Sequence, residues 1–103
     1  MLTLADVLEA LTGTRPEAAS LIISEAAIDS RLVIPGALFV ALPGERVDGH
    51  DYVEEAFRRG ANLALVQKDL SARLSCVDVR NGKLPESLPE APFCLWVDDT
   101  LKA

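Results

Sequence analysis

Apolar positions along the chain recur in two different periods. Near the amino terminus Leu4, Val7, Leu8 and Leu11 follow one another at intervals of three, one and three residues, which is one face of an α-helix. Thr3 stands directly before this run and Asp6 sits in the capping-box position. Gly13 follows as a stop signal, so the helix has both ends marked. Residues 14–20 (TRPEAAS) are a linker. From there the pattern changes to short apolar runs. LIISEAAID (21–29) reads as a strand with imperfect alternation. ALFVAL (37–42) is unbroken, with Pro35-Gly36 before it and Pro43-Gly44 after it. An unbroken run between turn signals predicts a central strand covered on both faces. HDYVEEAFRRG (50–60) predicts a short helix with Tyr52 or Val53, Ala56 and Phe57 inward. Its last turn carries Arg58 and Arg59, and Gly60 ends it. NLALVQ (62–67), SCVDV (75–79) and FCLWV (93–97) are further strands, and 80–92 is a loop with Pro85, Pro89 and Pro92.

Strands alternating with helices at this spacing predict an α/β domain: a mixed sheet of about five strands with helices packed on it. The strands flanking the second helix form a parallel βαβ unit. With 103 residues, the chain is one domain. Residues 98–103 (DDTLKA) place an N-cap at Asp98 or Asp99 and stop after about one turn, too short for a stable helix. The expectation is a chain cut from a longer parent.

Composition narrows the partners. Sixteen acidic residues against ten basic ones give a net charge of −6. This disfavours a non-specific nucleic-acid footprint and docking on an anionic membrane. It leaves open a small phosphorylated ligand, for which a few local donors suffice. Cys76 and Cys94 lie in apolar runs and read as buried free thiols in a reducing compartment. The amino terminus lacks a basic signal-peptide region, and no apolar run approaches the ~20 residues of a membrane span.

The chemistry concentrates in residues 28–52. Residue by residue, Asp29-Ser30 can be a turn, Arg31 a surface charge and Asp48-Gly49 a loop signal. Taken together, a hydroxyl, a guanidinium and a glycine-bracketed loop at strand ends suit holding a phosphate or a base edge. Catalytic readings are weak. A Ser30–His50–Asp29 triad can be written, but Ser30 lacks a nucleophile elbow. His50 is the sole histidine, and it reads as a cap or a satisfier of loop backbone. One histidine without paired cysteines makes no zinc site, and no phosphate-loop or dinucleotide fingerprint is present. Trp96 reads as packing.

Residues 29–66, from Asp29-Ser30-Arg31 through Pro35-Gly36, Leu38-Phe39-Val40-Ala41-Leu42, Gly44, Asp48-Gly49-His50 and Tyr52 to Gly60-Ala61, resemble the amino-terminal domain signature of the Mur ligases, in their MurE and MurF branches. VDDTLKA at 97–103 resembles the MurF segment leading into the ATP-binding domain, which favours MurF over MurE. The resemblance implies a cytoplasmic bacterial ligase of peptidoglycan precursors. Such an enzyme, dependent on ATP and magnesium, joins D-alanyl-D-alanine to UDP-N-acetylmuramoyl-tripeptide through an acyl phosphate. This chain would be the domain that holds UDP, next to a central ATP-binding domain in the same polypeptide, with no cofactor, metal or catalytic residue of its own. The implied UDP site is Ile28, Ser30 and Arg31 on one side and Glu45, Arg46 and Val47 opposite. Asp48, Gly49 and His50 would shape the loop, and ALFVAL would be the rigid spacer between the two sides. Two other readings remain open at this point: a stand-alone module for phosphorylated ligands, and a protein-interaction domain.

Overall fold

The computed structural model describes residues 2–16, 19, 21–44 and 46–100. Strand β1 (Leu2–Thr3) runs directly into helix α1 (Leu4–Thr12). The capping box is complete: Thr3 Oγ1 accepts the Asp6 N–H and Asp6 Oδ2 accepts the Thr3 N–H at 2.8 Å. Gly13, in the left-handed region at φ 76, donates its N–H to the Glu9 carbonyl and closes the other end. Leu4, Val7 and Leu8 are buried, as the spacing requires.

The run 21–29 is divided between two sheets. Strand β2 (Ile22–Ile23) pairs antiparallel with β1, while β3 (Ala26–Ala27) joins the main sheet. The break falls on the polar pair Ser24-Glu25. Ser24 donates its hydroxyl to the Pro35 carbonyl at 3.0 Å and its N–H to the Gly36 carbonyl at 3.0 Å, which turns the chain from one sheet into the other. The main sheet has five strands in the order β3-β4-β5-β7-β6, with β4 at Leu38–Val40, β5 at Leu63–Val66, β6 at Cys76–Asp78 and β7 at Phe93–Trp96. All four of its pairings are parallel, and antiparallel pairing is confined to the β1–β2 ribbon. Strands apolar on both faces are those a parallel sheet demands, because helices or loops must cover both sides.

Alternate residues serve two cores. Leu38, Leu63, Leu65, Phe93 and Leu95 face α1 and Ile23 of the ribbon. Phe39, Ala64, Val66 and Cys94 face helix α2 (Val53–Arg58), which contributes Val53 and Ala56. The unit β4–α2–β5 is the expected parallel crossover. Of the two residues expected inward at its start, Val53 is fully buried and Tyr52 remains 43% exposed, because a 3-10 turn over Gly49–Tyr52 precedes the helix. Cys76 and Cys94 are free thiols and register partners on neighbouring strands. Only Cys94 is buried, and burial pushes its thiol pKa up; Cys76, on the edge strand, is half-buried. Trp96 is half-buried and carries the Arg80 guanidinium 3.5 Å above its ring. Most of the helix expected from Asp98 onward lies outside the described residues.

Phe39 is the largest fully buried side chain of β4, a strand with neighbours on both sides. Phe39→Ala removes a ring that the helix α2 core cannot refill, and is expected to cost about 3–5 kcal/mol in urea unfolding. A loss below about 1 kcal/mol would contradict the packing described here.

Candidate functional site at the carboxyl edge of the sheet

Because β3 and β4 run parallel, with Ala27 opposite Phe39, the segments that follow them emerge at the same edge. Loops there are where open α/β sheets bind ligands. Between residues 28–31 and 42–49 lies a cleft of about 530 Å3. Its walls are largely apolar, built from Ile28, Phe39, Leu42, Pro43, Val47 and Tyr52. Its polar groups come from Asp29, Ser30, Arg31 and the backbone at Gly49. Ile28 and Val47, each 64% exposed, line the cleft from the two segments.

Asp29 organises one side. It caps a 3-10 turn over Ser30–Leu32 by accepting the Arg31 N–H at 2.9 Å. It also takes a two-pronged contact from the Arg31 guanidinium, Nε at 3.1 Å and Nη2 at 2.8 Å. That guanidinium, followed by the Arg31 backbone N–H, holds the Asp29 carboxyl down to about 2. Arg31 is therefore a neutralised pair rather than a bare cation, and its remaining N–H groups point to solvent from a side chain that is 80% exposed. Ser30 is the opposite case. It is only 7% exposed and its hydroxyl has no partner among the described residues. No fully enclosed side-chain oxygen is left unbonded among those residues, so this one keeps its solvent access, and Ser30 lines the cleft.

The other side is a loop folded hard against the end of β4. A side chain at Gly44 would meet the Val47 carbonyl oxygen at 2.2 Å, and one at Gly49 would meet the Leu42 nitrogen at 2.7 Å. Gly49 donates its N–H to the Leu42 carbonyl at 2.8 Å, so only glycine permits this approach. Asp48 caps the 3-10 turn through the His50 N–H at 3.0 Å, accepts His50 Nδ1 at 2.6 Å and is paired with Lys68. His50 Nε2 accepts the Gln67 N–H at 2.9 Å. A backbone N–H can only donate, so the imidazole carries its proton on Nδ1. Both ring nitrogens are thus engaged, and His50 stands behind the loop and not in the cleft, which removes the Ser30–His50–Asp29 triad.

Of the residues singled out in the sequence, Ile28, Ser30, Arg31, Val47 and Gly49 come together around the cleft. Arg46 is exposed and does not line it, Asp48 and His50 buttress the loop from behind, and Glu45 lies outside the described residues. Sequence reasoning missed Tyr52, Leu42 and Phe39 as walls, and Lys68 and Gln67 as anchors. Tyr52 carried a signal, an amphipathic ring directly after Asp-Gly-His; Lys68, distant in sequence, carried none. Among the described residues no three His, Cys, Asp or Glu side chains could hold a metal together. With no base beside Ser30, the arrangement suits binding a ligand that is part apolar ring and part anion.

The Lys68 ammonium, followed by the His50 backbone N–H, holds the Asp48 carboxyl well below its ordinary 3.8. A depressed carboxyl stabilises the fold above its unfolded-state pKa and loses that contribution as pH falls through the folded value. Asp48→Asn is therefore expected to destabilise by about 1–3 kcal/mol near neutral pH. The gap to the native protein should narrow below pH ~4. Urea titrations at stepped pH check this; a gap independent of pH would show that the charge contributes nothing.

The match to known proteins covers the same region. Residues 22–92 match the Mur ligase family, catalytic domain. A 2,6-diaminopimelate-adding UDP-N-acetylmuramoyl-L-alanyl-D-glutamate ligase of Vibrio cholerae is 39% identical over 67% of this chain and 14% of its own length. The UDP-N-acetylmuramoyl-tripeptide–D-alanyl-D-alanine ligase of Escherichia coli K12 is 35% identical over 80% of this chain and 18% of its own. A crystal structure of MurF from Acinetobacter baumannii superimposes with a TM-score of 0.55 at 26% identity, covering 93% of this chain and 18% of that one. The chain thus spans less than a fifth of these relatives. With its five-stranded sheet shared with MurF and well over half its residues matched by the family, the chain belongs to the Mur ligases.

Proposed function

We propose that this chain is the part of a peptidoglycan-precursor ligase that holds the UDP portion of a UDP-N-acetylmuramoyl-peptide. The observation that carries the reading is the gathering of Ile28, Ser30, Arg31 and Val47 around one cleft. Ser30 donates its free hydroxyl to the diphosphate, with Arg31 at the rim, and the apolar walls and loop backbone frame the base. Relatives support the same assignment. The V. cholerae and E. coli enzymes are named for different peptide substrates, yet both names begin with UDP-N-acetylmuramoyl. A segment common to both is best suited to the common part of their substrates.

Within the family, addition of D-alanyl-D-alanine is the preferred activity of the whole protein. The MurF structure covers nearly all of this chain, and VDDTLKA at 97–103 resembles the MurF segment leading into the ATP-binding domain. Addition of the third amino acid, the MurE reaction, is the alternative. The family's chemistry calls for ATP and magnesium, in a cytoplasmic enzyme whose central domain follows this one. The cleft does not fit a magnesium ion: its one carboxylate, Asp29, is already forked by Arg31. No step of amide formation is therefore assigned to these residues, whose contribution is binding energy that positions a carboxylate held elsewhere. No helix of the described residues is long and apolar enough to cross a membrane.

Titration of UDP into labelled protein tests this. Amide shifts are expected at residues 28–31 and 44–50, with a dissociation constant of about 0.1–10 mM because an open cleft recovers little after the entropy of binding. Ser30→Ala should weaken binding by about 0.5–1.5 kcal/mol, or up to about 3 if the hydroxyl meets a charged phosphate. Added salt should change it little, because the Arg31 guanidinium is already balanced by Asp29. Shifts confined to another surface would overturn the site. Separately, the chain alone is expected to release no phosphate from ATP above background; turnover that is lost on mutating the chain would contradict this.

A further inference from the structure

Buried polar side chains are costly unless bonded, so their positions mark where a fold has a use for them. Among the described residues they number three: Ser30, His50 and Thr100. Ser30 belongs to the cleft. His50 and Thr100 are far apart in sequence, and one residue joins them. Gln67, just beyond the end of β5, donates its backbone N–H to His50 Nε2 at 2.9 Å. Its side-chain Oε1 accepts both the Thr100 N–H and the Thr100 hydroxyl, each at 3.1 Å. From His50 the connection continues through Asp48 and Gly49 to the loop whose Val47 and Gly49 line the cleft. From Thr100 it reaches the segment after β7, whose Val97 N–H is bonded to the Val66 carbonyl at 2.8 Å.

We propose that Gln67 is a positioning residue that couples the cleft loop at 43–50 to the segment at 97–100. Its backbone fixes the imidazole that buttresses the loop, and its amide oxygen fixes Thr100. A shift of the loop that tilts the His50 ring moves the Gln67 backbone, and with it the acceptor on which both Thr100 donors depend. Lys68, the adjacent residue, pairs with Asp48 and ties the same strand end to the loop a second time. Ligand binding in the cleft would in this way be transmitted to the segment after β7. That last step rests on the UDP reading above; the coupling itself does not.

Two measurements on the 103-residue chain separate the possibilities. The first needs no ligand. Gln67→Ala keeps the backbone N–H and removes the Thr100 acceptor. Amide exchange is then expected to quicken roughly three- to tenfold, the size of one lost neutral hydrogen bond. The effect should fall on Gly49 and His50 as well as on Thr100, and leave Leu8 in α1 unchanged. Thr100→Val should produce the same pattern at smaller amplitude. Quickening at Thr100 alone would overturn the coupling. So would uniform quickening that includes Leu8, which would reduce Gln67 to a general contributor to stability. The second measurement adds UDP. The Thr100 amide is expected to shift in the native protein and to stay still in Gln67→Ala, while residues 28–31 shift in both. Shifts at 28–31 with a silent Thr100 in the native protein would overturn transmission to the segment and leave the cleft intact. Silence at both 28–31 and 44–50 would instead overturn the UDP site, and the exchange measurement would still decide the coupling.

Discussion

The parallel pairing of β3 with β4 is the constraint on which the site depends. Ala26 and Ala27 lie against Leu38 and Phe39 in the same direction, so the chain must leave β3, cross back through residues 28–37 and re-enter the sheet beside itself. Two polar segments that flank a strand in sequence thereby arrive at one edge in space. An antiparallel hairpin would have put Asp29-Ser30-Arg31 at the opposite end of β4 from the Gly44–Gly49 loop, and no cleft would exist. The small side chains of β3 serve this geometry, since an alanine pair places little bulk beneath an opening that Phe39 and Leu42 already floor.

Much of this was legible in the residues, and the limits have physical causes. The capped helix α1 could be read because Thr3, Asp6 and Gly13 act locally. The strands β4, β5 and β7 could be read because their apolar runs are unbroken and bracketed by turns. The division of 21–29 into β2 and β3 could not, because it hinges on Ser24 bonding to Pro35 and Gly36, residues brought near only by the fold. The wholly parallel order of the main sheet was also hidden, since apolar runs do not state their direction. In the site, Ile28, Ser30, Arg31 and Val47 gather around one cleft while Arg46 stays outside it, and the state of each came from tertiary contacts. Arg31 is paired with Asp29, His50 is turned away behind the loop, and Tyr52 forms a wall. Lys68 and Gln67 acquire their roles from β5 ending beside the loop.

Electrostatics sharpens the character of the cleft. A chain with a net charge of −6 does not attract an anion by its overall field. The local solution is to avoid bare charge of either sign: a hydroxyl without a partner among the described residues, a guanidinium already balanced by Asp29, and a glycine loop whose backbone approaches closely. Such a site discriminates by shape and hydrogen-bond direction more than by Coulomb attraction.

The two thiols have a practical consequence. Strand β6 is the far edge of the sheet from β3, and its Cys76 is half-buried while its register partner Cys94 is buried with its thiol pKa pushed up. Of the two, Cys76 is therefore the thiol that a maleimide or a spin label reaches more readily, on the side away from the cleft. Within these 103 residues Cys76 is thus the more addressable handle, suited to distance measurements toward the Ser30 edge.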